Sequence, residues 1–232
     1  MATFSCIITA AGSGIRFDQK QKKQFYELNG LPILHYSLRF FSKMRSVSEI
    51  ILTLPAEDLD EQSITLMDEF PKISFIVEGG DNRQKSVCNA LEQCNDTDFV
   101  IIHDAVRPFI DRNELKEMMS LVQKYNAVVP GAKVKNTIKR VYRDDVCETL
   151  LRKGLIEVYT PQIFKLDLIK ECHILASETD IVFTDDASIL EYYYESVKWY
   201  ETKSPNLKIT TKDDLLFAEY LLNNTKIFLT TE

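Results

Sequence analysis

A loop near the start of the chain combines glycines with closely spaced basic residues. Gly12 and Gly14 follow the apolar run at 6–10, and Arg16 and Lys23 come next. Glycine lets backbone N–H groups approach an anion, because no Cβ stands in the way. Two cations there could flank one phosphoryl group, and phosphoryl and nucleotidyl transfers gain mainly from positioning and fixed positive charge. The loop therefore indicates a phosphate site, although a plain strand-to-helix turn with surface cations would look similar.

The spacing inside this loop disfavours two common phosphate motifs. The dinucleotide fingerprint G-x-G-x-x-G, or its variant ending in alanine, fails because Phe17 occupies the third position. A P-loop fails because no Gly-Lys-Ser/Thr follows. Phe17 thus counts against a nicotinamide-dependent oxidoreductase. A nucleotide-binding module without catalysis stays open as an alternative at this point.

Two further clusters follow predicted strands. Gly79 and Gly80 come after the third strand, and Asp104 directly after the fourth. Open α/β sheets bind ligands at this carboxyl edge. Asp104 is well placed for a metal, a ribose hydroxyl or a substrate, and an ion pair with Arg107 is the structural alternative. His103 is interpreted as a packed or hydrogen-bonded residue rather than a catalyst.

Short apolar runs alternating with helical patterns predict the elements that position these loops. Continuous apolarity predicts strands buried on both faces of a mainly parallel sheet. The alternation predicts right-handed crossovers and a doubly wound α/β fold. The predicted strands are 6–10, 50–54, 73–77 and 99–102, and the predicted helices are 32–44, 57–69, 83–94 and 111–125. A final helix is predicted from about Lys212, with Thr211 and Asp214 as a capping pair.

The alternating order breaks after Gly131. Residues 133–153 mix basic, acidic and β-branched types without a helical stripe, which predicts a protruding β-hairpin arm. An arm that cannot bury its own surface usually packs on a partner, so a homodimer is expected. With no repeats or evident linker, we expect one domain over 1–232 plus this arm.

Composition narrows the class of protein. The chain has 232 residues, 45% of them hydrophobic, and a net charge of −7, which argues for a folded domain and against nucleic-acid binding. The apolar runs are too short for a membrane span, and no signal peptide is recognised. Five scattered cysteines and three separated histidines lack metal-ligand spacing. A cytoplasmic protein with reduced thiols is therefore expected.

The segments, taken in order, resemble the 2-C-methyl-D-erythritol 4-phosphate cytidylyltransferase family of the non-mevalonate isoprenoid pathway. The motifs that carry the resemblance are AAGSGIR with KQF downstream, GGDNRQKSV, HDAVRP, NTIK, the arginine of LLRKGL, TPQIF, TDDAS and LKITTKDDL. The resemblance implies a Rossmann-like nucleotidyltransferase that moves the cytidylyl group of CTP onto the polyol phosphate and releases pyrophosphate. A ribitol 5-phosphate cytidylyltransferase is the alternative, against which TDDASILEY and Arg152 count.

The resemblance also implies residue roles. The implied catalytic residues are Arg16, Lys23 and Lys208. The implied CTP contacts are Ala10, Ala11, Gly12, Gly14, Gly80, Asp81, Arg83, Ser86, Asp104 and Ala105. The implied substrate contacts are Thr137, Arg152, Thr160, Thr184, Lys208 and Arg107, with Thr137 and Arg152 reaching the partner subunit's site of a homodimer. Mg²⁺ would be held mainly by triphosphate oxygens, with no protein ligand assigned.

This sequence departs from the family pattern at three positions. Lys22 stands where a proline usually precedes the catalytic lysine, Asn136 replaces a frequent acid, and Val106 replaces a common alanine. The departures remove none of the implied catalytic groups. The presence of Lys22 raises the question whether it shares the role of Lys23.

Overall fold

The computed structural model describes residues 2–12, 17, 21–194 and 196–224. Its strands are β1 Phe4–Thr9, β2 Glu27–Leu28, β3 Leu31–Pro32, β4 Val47–Leu54, β5 Ile73–Glu78, β6 Phe99–Asp104, β7 Ala127–Lys133, β8 Ile138–Tyr142, β9 Asp145–Leu150, β10 Ile156–Val158, β11 Gln162–Lys165 and β12 Lys198–Glu201. Its helices are α1 Ile33–Ser42, α2 Leu59–Glu69, α3 Arg83–Glu92, α4 Arg112–Tyr125, α5 Leu166–Ser177, α6 Asp186–Tyr193 and α7 Lys212–Asn224, with 3-10 turns at Lys23–Phe25 and Ala56–Asp58.

A mixed sheet of eight strands forms the centre of the fold. Its order is β10-β7-β11-β6-β1-β4-β5, and β12 pairs along β7. β1 pairs in parallel with both β4 and β6, and β4 with β5, whereas β11 pairs antiparallel to β6. The Rossmann-like, mostly parallel α/β prediction is therefore confirmed.

Alternating side chains of β1 explain how the sheet is covered on both faces. Cys6 and Ile8 belong to the apolar cluster that includes Leu38 of α1 and Leu115 of α4. Ile7, between them, packs in a second cluster with Val87 of α3 and with residues of α5 and α6. Successive side chains of a strand point to opposite faces, so continuous apolarity is what two covered faces require.

One strand differs from its prediction. β5 was expected to be buried on both faces, but it lies at the edge of the sheet and Phe75 is 40% exposed. An edge strand has a paired strand on one side only, which is β4 here, and both α2 and α3 contact β5. The other predicted strands and helices are confirmed, with small shifts at their ends.

The start of the last helix has the capping hydrogen bonds that the sequence predicts. Thr211 Oγ1 accepts from Asp214 N at 3.2 Å, and Asp214 Oδ2 accepts from Thr211 N at 2.8 Å. These reciprocal bonds satisfy backbone donors that lack intrahelical partners. The capping pair is thus confirmed. Within the described residues, no helix has the length and apolarity needed to cross a membrane.

The predicted arm is a β-hairpin separate from the main sheet. Among the described strands, β8 and β9 pair only with each other, in antiparallel orientation. Arg143 and Asp144 join them with φ of +46° and +70°, as a tight hairpin turn requires. The hairpin leaves the sheet between Lys133 and Ile156, which are paired across β7 and β10. The arm therefore has a fixed base and an exposed body.

Two loops meet at the carboxyl edge of the parallel strands. Gly79, directly after β5, donates its N–H to Leu54 O at the end of β4 (2.8 Å). A Cβ atom on Gly79 would lie 2.1 Å from the Cβ of Ala11, far inside van der Waals contact. Glycine at this position therefore lets the loop after β5 pack directly on the loop after β1.

Replacing Gly79 by alanine should force these loops apart. We expect Gly79→Ala to lower the free energy of unfolding by about 1–3 kcal/mol, as overpacking does. Gly12→Ala is the matched control for stability, because a Cβ on Gly12 meets no atom of the described residues within 4 Å. Urea denaturation followed by circular dichroism measures both. Equal stability of the two variants would contradict the close packing of the loops.

Candidate active site

A cleft of about 510 Å³ opens at the carboxyl edge of β1 and β6. The chain proceeds from β1 to β4 and β5 on one side and then returns to β6 on the other, which is the switch point where open α/β sheets bind ligands. The lining residues are Thr9, Ala10, Ala11, Gly12, Lys23, Gln24, Gly80, Asp81, Asn82, Arg83, Ser86, Asp104, Val106 and Lys208. They include every described residue predicted to contact CTP except Ala105, and both described catalytic candidates.

The carboxylate of Asp104 is the electrostatic centre of this cleft. Its Oδ1 accepts from Arg83 Nε at 3.1 Å. Its Oδ2 accepts from Lys208 Nζ at 2.8 Å and from Arg107 Nε at 3.4 Å. Asp104 itself is buried, whereas 40% of the Lys208 side chain is exposed. One buried anion therefore gathers three cations, of which Lys208 is the most accessible.

These cations decide the protonation of Asp104. Burial alone would raise the pKa of Asp104, but the charges of Arg83, Lys208 and Arg107 outweigh it and hold the pKa well below its usual range. The group is therefore ionised at neutral pH. An ion pair between Asp104 and Arg107 was the structural alternative to a ligand role, and the geometry shows that pair together with two others.

Arg83 connects the cleft to a second buried carboxylate. Its Nη1 donates to Asp186 Oδ2 at 2.7 Å. Burial would raise the pKa of Asp186, but Arg83 lowers it on balance. His173 Nε2 lies 3.3 Å from the other oxygen of Asp186. Sequence reasoning assigned no role to Asp186 or His173, because the contact of Asp186 with Arg83 joins segments about a hundred residues apart.

A buried polar relay fixes the end of β6. His103 Nε2 donates to Arg107 O at 3.1 Å, and its Nδ1 lies 3.2 Å from Thr160 Oγ1. Thr160 Oγ1 in turn accepts from Asp104 N at 3.0 Å. Burial lowers the pKa of His103 to about 3, so the ring is neutral. The expected packed role of His103 is confirmed, and Thr160 lies behind the cleft wall, where it orients Asp104.

The segment that carries Lys208 is attached to the loop after β6. Arg107 Nη1 donates to Asn206 O at 2.8 Å. Ile209 N donates to Val106 O at 2.9 Å. These bonds flank Lys208 on both sides along the chain. The position of its ammonium group therefore depends on residues that precede it by about a hundred positions.

The first glycine loop forms one wall of the cleft. Ala10 N donates to Thr53 O at 3.1 Å, and Ala10 O accepts from Gln24 Nε2 at 2.7 Å. Gln24 is buried, and no role for it was predicted from the sequence. The predicted residues Gly14 and Arg16 lie outside the described residues.

The neighbouring lysines 22 and 23 have different surroundings. Lys23 lines the cleft. Lys22 Nζ instead pairs with Glu57 Oε1 at 2.6 Å and with Asp58 Oδ2 at 2.7 Å. Burial lowers the pKa of Lys22, but the hydrogen bonds to these carboxylates outweigh it and raise the pKa. The charge of Lys22 is thus paired with acidic residues in the 3-10 turn before α2.

The second glycine loop begins α3. Asn82 is the N-cap of the helix, and its side chain accepts from Lys85 N at 2.8 Å. Ser86 Oγ accepts from Gly80 N at 3.0 Å and donates to Asn82 O at 2.9 Å. Asp81, between them, is exposed on the rim of the cleft. The loop is thus held by its own side chains in a fixed shape beside Arg83.

Comparison with known proteins agrees with this arrangement. The family model of IspD, 2-C-methyl-D-erythritol 4-phosphate cytidylyltransferase, matches residues 4–224. This chain belongs to that family. A relative of that name from Clostridium botulinum is 39% identical over 223 residues, which are 94% of this chain and 99% of the relative. The resemblance noted from the motifs is therefore confirmed.

Solved structures of the family have the same fold. The structure of 4-diphosphocytidyl-2C-methyl-D-erythritol synthase from Anaerococcus prevotii aligns with a TM-score of 0.83 at 28% identity, covering 96% of this chain and 99% of that one. The Francisella tularensis cytidylyltransferase aligns with a TM-score of 0.82 at 29% identity, covering 94% and 99%. The sheet order described above is thus that of the cytidylyltransferase family.

Several residues that the family resemblance links to the polyol phosphate lie away from this cleft. Thr137 and Arg152 are exposed at the base of the arm, where Arg152 Nη1 donates to Lys135 O. Thr184 is exposed just before α6. Ala105, expected to contact CTP, is fully buried, and its N–H donates to Thr9 O at 3.1 Å. The cleft of one chain therefore brings together most of the residues that the resemblance links to CTP, but not these.

The depressed pKa of Asp104 predicts how stability depends on pH. The unfolded chain protonates this carboxyl near pH 4, whereas the folded chain resists protonation until much lower pH. The stabilisation is therefore complete above about pH 4 and is lost as pH falls below it. Asp104→Asn should destabilise the fold at pH 7 by roughly 3 kcal/mol, the lower end for a buried pair since Lys208 is partly exposed.

The matched measurement is urea denaturation at several pH values. The stability difference between wild type and Asp104→Asn should narrow below about pH 4, by up to about 1.4 kcal/mol per pH unit. Burial lowers the pKa of His103 and the charge of Asp104 raises it in part, so the difference includes any change in the titration of His103. Asp81→Asn, at the exposed rim, serves as the control. A difference that stays constant down to about pH 2 would contradict the assignment to Asp104.

Proposed function

We propose that this chain transfers the cytidylyl group of CTP to 2-C-methyl-D-erythritol 4-phosphate, giving 4-diphosphocytidyl-2-C-methyl-D-erythritol and pyrophosphate. The observation that carries the proposal is the cleft itself, in which Lys23, Lys208 and Arg83 surround a space bounded by two glycine loops. Family membership supplies the substrate class. The chain as a whole carries a net charge of −7, so this cluster of cations is a local feature of the cleft and not a general property of the surface.

The reaction needs charge placement more than proton transfer. A phosphate oxygen of the polyol phosphate attacks the α-phosphorus of CTP in line, the bond from that phosphorus to the bridging oxygen breaks, and pyrophosphate leaves. The attacking phosphate is already an anion at neutral pH, because its second pKa is near ~6. No general base is required, which agrees with a neutral His103 buried outside the reaction space.

The cations of the cleft would act on these anions. Lys23 and Arg16 would flank the α-phosphate, where negative charge grows in the transition state. Lys208 would guide the incoming phosphate, since its ammonium is the most accessible of the three that pair with Asp104. Lys208 and Arg83 would need little reorganisation, because Asp104 already holds them in place.

A divalent cation, which we propose to be Mg²⁺, fits the residues of this cleft in one way. Among the described residues, no group of three or more His, Cys, Asp or Glu side chains could hold a metal, and the carboxylates that line the cleft are Asp81 and Asp104. Mg²⁺ typically binds one or two carboxylates together with substrate phosphates. Both oxygens of Asp104 already accept from Arg83, Lys208 and Arg107. The exposed Asp81 would therefore be the carboxylate that assists the triphosphate oxygens, and the bound cation would neutralise charge on the leaving pyrophosphate.

The features of the arm favour a site to which a second subunit contributes. Its hairpin exposes the apolar side chains Val141, Tyr142 and Val146, which a partner surface would cover. Thr137 and Arg152 lie at the base of the arm and do not line the cleft of their own chain. In a homodimer joined through the arms, these two residues would reach the polyol phosphate in the partner subunit's site.

The direct test supplies the purified protein with CTP, Mg²⁺ and one polyol phosphate and measures pyrophosphate release. We expect release with 2-C-methyl-D-erythritol 4-phosphate at a kcat/KM well above that with ribitol 5-phosphate. A preference for ribitol 5-phosphate would transfer the proposal to that substrate. No release with either polyol phosphate would refute the cytidylyltransferase function.

Adjacent lysines offer a matched pair for the catalytic cation. Lys23→Ala should lower kcat by about 10²–10³, the usual effect of removing one group that stabilises transition-state charge. Lys22→Ala should change kcat far less, since Lys22 is paired with Glu57 and Asp58. Steady-state kinetics of both folded variants decide the question. A loss in Lys22→Ala as large as that in Lys23→Ala would show a shared role.

Mixed dimers test whether the arm completes the partner's site. Arg152→Ala should raise the KM for the polyol phosphate roughly 10-fold or more, and the KM for CTP little, because a charged hydrogen-bond donor is lost. Arg140→Ala, which removes an exposed arm ion pair with Glu148, is the control. Mixing Arg152→Ala with Lys23→Ala chains should restore activity, since each mixed dimer has one intact site. Failure to restore it would place Arg152 in its own chain's site.

A further inference from the structure

A buried glutamine joins the nucleotide loop to the turn that carries Lys23. Gln24 is 1% exposed and lies within the 3-10 turn Lys23–Phe25. Its Nε2 donates to Ala10 O at 2.7 Å and to Gly12 O at 3.3 Å. One carboxamide therefore bonds two carbonyls of the loop after β1, and its chain neighbour lines the same cleft.

The direction of those carbonyls matters for an anionic ligand. In a trans peptide the C=O and the following N–H point in opposite directions. Because Ala10 O faces Gln24, the N–H of Ala11 faces away from it. Among the described residues, none accepts a hydrogen bond from Ala11 N. The glutamine thus holds carbonyl oxygens, which would repel a phosphate, and leaves an amide donor available to one.

We propose that Gln24 is a positioning residue for nucleotidyl transfer. Through its two hydrogen bonds it fixes the loop that cradles the triphosphate and holds that loop in register with Lys23. This inference rests on the function proposed above and assigns a task within it. The geometry requires a donor at this position, since the buried carbonyl of Ala10 and the carbonyl of Gly12 share it.

Two substitutions separate the donor from the shape of the side chain. Gln24→Met keeps the length and removes the donor, so both carbonyls lose their partner. Gln24→Glu keeps the shape but directs a carboxylate at two carbonyl oxygens and adds negative charge beside the phosphates. Gln123→Met on α4 is the matched control, because it removes a comparable Nε2 bond to Met119 O (3.1 Å) outside the cleft.

The experiment measures kcat, both KM values, CTP binding by isothermal titration calorimetry, and the melting temperature. We expect Gln24→Met to lower kcat/KM for CTP by about 10²-fold, as small misplacements of catalytic groups do. At saturating CTP the KM for the polyol phosphate should stay within about twofold of wild type, because the loop contacts the nucleotide. Gln24→Glu should lose at least as much, and Gln123→Met should match wild type.

Either of two results would overturn this role. One is a folded Gln24→Met protein whose kcat/KM for CTP lies within about threefold of wild type. The other is an equal rise of both KM values with a lower melting temperature, which would indicate general loss of structure. If Gln24→Met does not fold, the same readouts on Gln24→Glu decide. An inactive wild type would refute the cytidylyltransferase function itself, which keeps the two failures distinct.

Discussion

Three cations from separate parts of the chain converge on the carboxylate of Asp104. Arg83 comes from the start of α3, Arg107 from the loop after β6 and Lys208 from the segment before α7. Without the carboxylate these like charges would repel one another in a partly buried space. Asp104 is therefore the constraint on which the cleft depends, because it lets a chain of net charge −7 keep a basic site open to solvent.

The network around Asp104 also links packing to function. Its backbone N–H is held by Thr160, whose hydroxyl touches the neutral ring of His103, and that ring donates to Arg107 O. Every group in this relay is buried and has a partner, which a low-dielectric site requires. These buried hydrogen bonds hold the cationic side chains in position before a ligand binds. Preorganised charge of this kind makes the largest contribution to the rate of many transfer reactions.

Much of this arrangement could be predicted from the sequence, because it depends on patterns within short segments of the chain. Continuous apolar runs mark strands covered on both faces, and a carboxylate directly after such a run, as at Asp104, falls at the ligand edge. The exposure of β5 could not be predicted in this way. Its apolar run resembles those of β1 and β6, and only the order of strands in the sheet places it at the edge. The pairing of Arg83 with Asp186 and the buried position of Thr160 depend on contacts across the fold. Gln24 gave a weak signal, an amide within the KQF motif beside the predicted lysine.

A kinetic double-mutant cycle tests most directly whether Asp104 works by holding its cations. The proteins are wild type, Asp104→Asn, Lys208→Met and the double variant, each first checked for a native circular dichroism spectrum. If Asp104 acts through Lys208, the loss of kcat/KM in the double variant should be clearly smaller than the product of the two single losses. Losses that multiply would contradict the account, because the two residues would then contribute independently.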